Sequence, residues 1–182
     1  MEVFDNQEES VVNTNSVDYL THANTMAAYN QWMNQKLYQA SAILSDEQRK
    51  KDQRVFFKSI HGTLNHLILA DRIWMGRFTG KPYVVPSLGY MLTDSFEELR
   101  QAREAEDQRI IDWAGSLDRE TVESELHFTP MTNPQPRTLP MWLALTHFFN
   151  HQTHHRGQLT TLLFQLGIDP GVTDLPFMPG LS

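Results

Sequence analysis

Apolar residues recur every three to four positions over four stretches of the chain, and the pattern lapses between them. The first stretch, about Val17 to Leu44, places Tyr19, Ala23, Met26, Leu37 and Leu44 on one stripe, the signature of an amphipathic helix. Asn30 falls near the middle of that stripe and Asn34 near its edge. The sequence Ser45-Asp-Glu-Gln48 then reads as a capping box and opens a second helix over roughly Asp46–Phe78, with room for a break before Val55. Gly80-Lys-Pro82 ends it. Around His66 this helix gathers Val55, Phe56, Ala70, Ile73 and Trp74, while Leu64, Ile68 and Met75 make a second apolar stripe on the reverse face. A helix apolar on two sides is buried on two sides, here by the N-terminal segment or by another subunit. Residues 79–92 hold two prolines and two glycines. A connection that long predicts a crossover and lets two successive helices run parallel.

A third helix starts with Thr93 or Asp94 as its cap and runs to about Leu117, with Phe96, Leu99, Ile110, Trp113 and Leu117 facing in. Arg103, Glu106 and, at the edge, Asp107 share that inner side. They read either as an intrahelical Arg103–Asp107 pair on a partly wet face or as parts of a site. From Thr121 to Leu139 the period shortens around a proline-rich turn, which predicts a small hairpin. The last helix begins near Pro140 and stops at Gly167, and the residues after it form an extended tail lying back over the bundle. Residues 1–15 read as a loose acidic tail, and residues 16–182 as one all-α four-helix-bundle domain. There are no internal repeats.

The last helix carries half of the chain's eight histidines within nine residues, His147 to His155. With His155 set at zero, Phe148, Leu162, Ala144 and Leu166 lie within about 20° of it and His151 about 40° away, whereas His154 and His147 sit roughly 80–100° off. His151 and His155 therefore face the core from adjacent turns, the arrangement a divalent metal needs from one helix. His66 supplies a third inward imidazole. Three neutral imidazoles leave coordination positions open for water or substrate, as a catalytic rather than a structural site does. A metal there lowers the pKa of bound water or of an incoming thiol. Each ligating ring needs its second nitrogen oriented by a partner; Asn30, Gln158, Glu106 and Asp107 are the candidates. Arg103 and Arg156 suit the anchoring of an anionic substrate.

Composition narrows the chemistry further. The formal charge is -7 with no basic run, which argues against nucleic acid as partner. The absence of cysteine removes disulfides, thiolate ligands and a cysteine nucleophile. No stretch has the ~20 apolar residues of a membrane span. Glu2, Asp5, Glu8 and Glu9 stand near the start and no lysine or arginine precedes Lys36, the wrong charge for a secretory or mitochondrial leader, so a cytoplasmic location is expected.

The segments His151-Gln-Thr-His154-His155-Arg156-Gly-Gln158-Leu159, Asn65-His66-Leu-Ile-Leu-Ala-Asp71-Arg-Ile-Trp74 and Ala28-Tyr-Asn30-Gln-Trp-Met-Asn34 resemble the DinB/YfiT-like superfamily in order and spacing, over about residues 18–170. The resemblance implies a four-helix bundle of up-down-down-up topology that holds nickel, zinc or a similar divalent metal on three histidines, corresponding to His66, His151 and His155. It also implies a homodimer. Some members of that superfamily use a low-molecular-weight thiol as co-substrate, as bacillithiol S-transferases and a mycothiol-dependent maleylpyruvate isomerase. Others are described as metal-dependent hydrolases. His154, Arg156 and Gln158 belong to the motif without ligating the metal. This chain has Gln158 where some thiol-transferase relatives carry a further histidine, a departure that counts against thiol transfer. The expected activity is metal-dependent thiol S-transfer or hydrolysis of a small substrate. The alternatives are a non-catalytic metal-binding or stress-response protein and a metal-free structural bundle.

Overall fold

The computed structural model describes residues 18–87, 89–131 and 133–181; the tail read over residues 1–15 lies outside them. Four long helices form the bundle: α1 (Tyr19–Ala42), α3 (Ile60–Phe78), α4 (Phe96–Gly115) and α6 (Met141–Gln165). Two short helices, α2 (Asp46–Lys50) and α5 (Arg119–Glu123), and a hairpin of β1 (Glu125–Phe128) with β2 (Arg137–Pro140) fill the connections. The strands pair antiparallel from Glu125 opposite Pro140 to Phe128 opposite Arg137.

Two apolar clusters fix the helix directions. At one pole Leu37 and Leu44 from the end of α1 and its exit meet Ile60 and Leu64 from the start of α3, Leu99 from the start of α4 and Leu159 and Leu162 from the end of α6. At the other pole Ala23 and Ala27 meet Met75, Ile110, Ala114 and Phe148, from the opposite ends of the same four helices. The bundle is therefore up-down-down-up. Consecutive helices α3 and α4 run parallel, and the crossover after α3 carries the chain back along the bundle. Asn65 pins the end of that crossover: its side-chain oxygen accepts from the backbone N–H groups of Leu92 (2.9 Å) and Thr93 (3.3 Å).

The second expected helix divides in two. Its capping box forms as read, with Ser45 accepting from Gln48 N and Gln48 reaching back to Ser45 N, but α2 ends after five residues. Asp52 accepts from Arg54 N at 2.7 Å, a side-chain turn that competes with helix. Arg54 and Lys58 adopt φ of 58° and 65°, outside the range of a right-handed helix. Ser59 then caps α3 by accepting from Gly62 N. Residues 51–59 are thus an irregular strap, and Phe56, placed with His66 by helical phase, is instead 86% exposed.

Both apolar faces of α3 are covered within the chain. Leu64, Ile68 and Met75 are enclosed by the other long helices, and Leu69 and Ile73 by Val85 and Leu92 of the crossover. The second stripe therefore carries no argument for another subunit. The cap of α4 is Ser95 rather than Thr93 or Asp94. The helix stops at Gly115, and α5, capped by Asp118, takes the residues where the hairpin was expected to begin. The closing tail does lie back on the bundle: the Tyr29 hydroxyl donates to Thr173 O at 2.6 Å, and Met178 packs with Tyr29 and Met33. Among the described residues no helix is long and apolar enough to cross a membrane.

Candidate metal centre

His66 projects from the second turn of α3, and His151 and His155 from adjacent turns of α6, the helix packed beside it. One ring nitrogen from each of the three lies within 4.8 Å of those of the other two. The ring centroids are 4.5 Å apart for His151 and His155, 4.7 Å for His66 and His155, and 5.3 Å for His66 and His151. His66 and His155 are buried and His151 is half-buried.

Hydrogen bonding assigns the tautomer of His155. Gln158 Nε2 donates to His154 Nε2 at 3.1 Å, which turns Gln158 Oε1 towards His155 Nδ1 at 2.8 Å. An amide oxygen only accepts, so His155 carries its proton on Nδ1 and presents the lone pair of Nε2 to the cluster. That Nε2 stands 3.2 Å from His151 Nε2. A tetrahedral ion with Zn–N bonds of about 2.05 Å separates two of its nitrogens by roughly 3.3 Å, so this pair already has the spacing of two ligands of one ion. Burial holds His151 neutral, its pKa pushed down to about 3, with His155, His66, His147 and His154 adding electrostatic opposition to a charge. Burial also lowers the pKa of His155, against the raising effect of Gln158. A donor set of three imidazole nitrogens, with His151 and His155 biased to the neutral form, fits a borderline divalent ion.

The strap over residues 51–59 forms one wall. The Phe57 ring stacks on His66 at 3.7 Å between centroids and meets His155 edge-on at 5.4 Å. This approach depends on Gly62, because a Cβ there would lie 2.1 Å from the Phe57 carbonyl oxygen. His66 also borders a cavity of about 270 Å³, open to solvent, lined by Phe56, Phe57, Lys58, Tyr90 and Met91 among others.

Behind the histidines a buried polar belt ties all four long helices together. Arg103 binds Asp71 (2.5 Å) and lies 3.0 Å from Asp107. Asp71 also accepts from Gln152 at 2.9 Å. Asp107 accepts from Asn34 (2.8 Å) and Asn30 (3.2 Å), and Arg156 donates to Asn30 and Thr153 while lying over the Tyr29 ring. Burial raises the pKa of Asp107 to about 6 against the lowering influence of Arg103, and lowers that of Arg156 to about 10.

The structure therefore brings together His66, His151, His155 and Gln158 of the residues singled out in the sequence. His154 is exposed; its ring meets that of His155 edge-on at 4.8 Å between centroids, and it accepts from Gln158. Asn30, Arg103 and Arg156 belong to the belt, where buried opposite charges and amides bond one another rather than the imidazoles. Glu106 pairs with Arg72 (3.4 Å) and Arg109 (2.9 Å). Three participants were not singled out: Phe57, hidden by the expectation of a continuous helix, and Asp71 and Gln152. The signal for Asp71 was its position inside a run apolar on both faces, where a carboxylate requires a partner.

Fold and site together define an up-down-down-up bundle of the DinB/YfiT-like superfamily, with three histidines gathered between its second and fourth long helices. The DinB family model matches residues 18–181, and the chain belongs to the DinB family. It is 28% identical over 155 residues to protein DinB of Bacillus subtilis (strain 168), covering 80% of this chain and 87% of that protein. Its fold is similar to that of YfiT from Bacillus subtilis, described as a probable metal-dependent hydrolase with an unusual four-helix bundle topology. The TM-score is 0.60 at 14% identity, over 84% of this chain and 91% of YfiT.

Proposed function

We propose that the protein is a metal-dependent enzyme, holding a divalent ion such as Zn²⁺ or Ni²⁺ on His66, His151 and His155 and acting by hydrolysis on a small substrate. The observation that carries this reading is three imidazoles converging beside an open cavity that His66 itself borders. Bound there, a divalent ion supplies Lewis acidity that makes a nucleophile of water or a thiol near neutral pH. Gln158 fixes the proton of His155 on Nδ1 and so keeps Nε2 free for ligation. Burial keeps His151 unprotonated and removes proton competition at neutral pH. Phe57 excludes water from one side of His66. Lys58, at the mouth, offers a cation to an anionic group of the substrate. The description of YfiT supports hydrolysis. Transfer of a low-molecular-weight thiol uses the same activation, and Gln158, where some thiol-transferase relatives have a histidine, makes it the second reading.

The test is turnover by metal-loaded protein on a panel of simple esters and amides, and on electrophiles offered with a panel of thiols. Metal-dependent turnover that disappears in His151→Ala is expected. No turnover on any member of either panel, with one ion bound per chain, would leave a metal-binding protein without catalysis.

A further inference from the structure

A second cavity, of about 410 Å³, opens at the C-terminal end of α3, between the crossover and the hairpin. Arg77, in its lining, follows His66 by eleven residues, about 16 Å along the helix, so this cavity stands apart from the histidine cluster. Two contacts build it. The crossover is seated on α3 at Gly76, where a Cβ would lie 2.7 Å from both Lys81 O and Tyr83 N, and Gly76 O accepts from Lys81 N at 2.8 Å. The hairpin meets α3 through Phe128, whose ring centroid lies 5.4 Å from that of Trp74. Between these contacts the lining includes the buried Ile73 and Val85 and the exposed Pro82 and Val84.

Arg77 brings a half-buried cation to this aliphatic surface. Its guanidinium carbon lies 4.4 Å from the Trp74 ring centroid and 4.5 Å from that of Phe128, so aromatic rings hold it in place. Burial lowers its pKa, and no neighbouring carboxylate offsets that effect. Among the described residues its side chain enters no ion pair and donates no hydrogen bond. Glu125 of β1 lies against His127 instead, at 3.8 Å. The last carbonyls of α3 are also taken: Met75 O, Gly76 O and Arg77 O accept from Thr79 N, Lys81 N and Gly80 N. None of the Arg77 nitrogens is among the sealed polar atoms that lack a partner, so its unbonded N–H groups open to solvent.

Parallel N–H groups of a guanidinium match both oxygens of a carboxylate. With Arg77 as the cation in the lining, one negative charge is balanced, whereas a phosphate monoester would bring close to two. We propose that this cavity binds a short aliphatic monocarboxylate, whose carboxylate pairs with Arg77 and whose chain lies along Ile73, Val84 and Val85. The site is independent of the histidine cluster and stands whether or not that cluster is catalytic.

Octanoate is the probe, with its affinity for the full chain measured by ligand-observed NMR titration. Saturable binding is expected. Octanamide, of the same shape without the charge, binds at least about tenfold more weakly, the effect of a charge-assisted hydrogen bond. Arg77→Met keeps an apolar side chain against Trp74 and Phe128; it weakens octanoate by the same factor and leaves octanamide within about twofold. That difference between the two ligands is one that mere loosening of the hairpin would not produce. His151→Ala, which removes a candidate metal ligand, leaves octanoate affinity within twofold. The proposal is overturned by absence of saturable binding, by octanamide matching octanoate, by unchanged octanoate affinity or equal loss of both ligands in Arg77→Met, or by loss of octanoate binding in His151→Ala. Should Arg77→Met fail to fold, Arg77→Gln takes its place with the same expectations.

Discussion

Gln158→Leu isolates one hydrogen bond at the metal site while sparing the ligands. The side chain changes little in volume, stays on the same helix and loses the oxygen 2.8 Å from His155 Nδ1. In the native protein that oxygen holds the proton on Nδ1 and makes Nε2 the better electron donor. Without it the imidazole distributes its proton between both nitrogens and turns more freely about its side-chain bonds. Loss of such a partner costs about 10–100-fold in metal affinity, or roughly 1.4–2.8 kcal/mol at 1.4 kcal/mol per factor of ten. Gln158 is half-buried and among the described residues its side chain bonds His154 and His155, so global stability should shift by no more than about 0.5 kcal/mol. Zinc affinity measured by competition with a chromogenic chelator gives the first number and urea unfolding of the metal-free protein the second. Gln158→Glu completes the series, because a carboxylate accepts the same hydrogen more strongly and should restore native affinity or exceed it. Native zinc affinity in Gln158→Leu, within twofold, would show that the Gln158–His155 bond does not orient a ligand.

Three further expectations follow from neighbouring groups. The pKa of His151, about 3 against an ordinary 6.5, makes the metal-free protein lose stability as pH falls from about 6.5 towards 3, since the unfolded chain takes up a proton that the native state refuses. The raised pKa of Asp107, about 6, acts in the opposite sense, so the informative quantity is the difference between native protein and His151→Leu in urea unfolding at pH 7.5, 5.5 and 4; equal pH slopes would contradict the assignment. Arg103→Met strands Asp71 and Asp107 in the core and should cost about 3–5 kcal/mol, against about 0.5 kcal/mol or less for Arg119→Met on an exposed pair, both read from urea unfolding. Gly62→Ala, favourable at an ordinary helix position by up to about 1 kcal/mol, should instead destabilise by at least that much, because the Phe57 carbonyl must retreat; faster hydrogen exchange over residues 51–59 would report the opened strap, and a stabilised variant would refute the clash.

The long helices were legible because their apolar stripes are uninterrupted and their ends carry strong signals, Ser45 to Gln48 at one start and Gly167 at one stop. His151 and His155 were legible for the same reason, being four residues apart on a regular helix whose phase the apolar residues set. His66 depended on packing between helices, and the long crossover gave the arrangement that places it beside α6. The strap was not legible. Val55 and Phe56 fit the helical phase of α3, and nothing in the local pattern announces that Arg54 and Lys58 take left-handed backbone angles. Phe57 was missed with it. Asn30 and Arg103 were read as facing inward and are buried, but pattern alone does not say which of several buried groups pair, and here the charges chose each other over the imidazoles.

Elemental analysis of the native protein, purified without chelator and set beside His66→Ala, bears most directly on the central claim that three imidazoles from two helices share one ion. About one divalent ion per chain is expected in the native protein and a small fraction of that in the variant, with both folded by circular dichroism. A native protein that neither carries nor takes up a divalent ion, or a variant that keeps full occupancy, would contradict it.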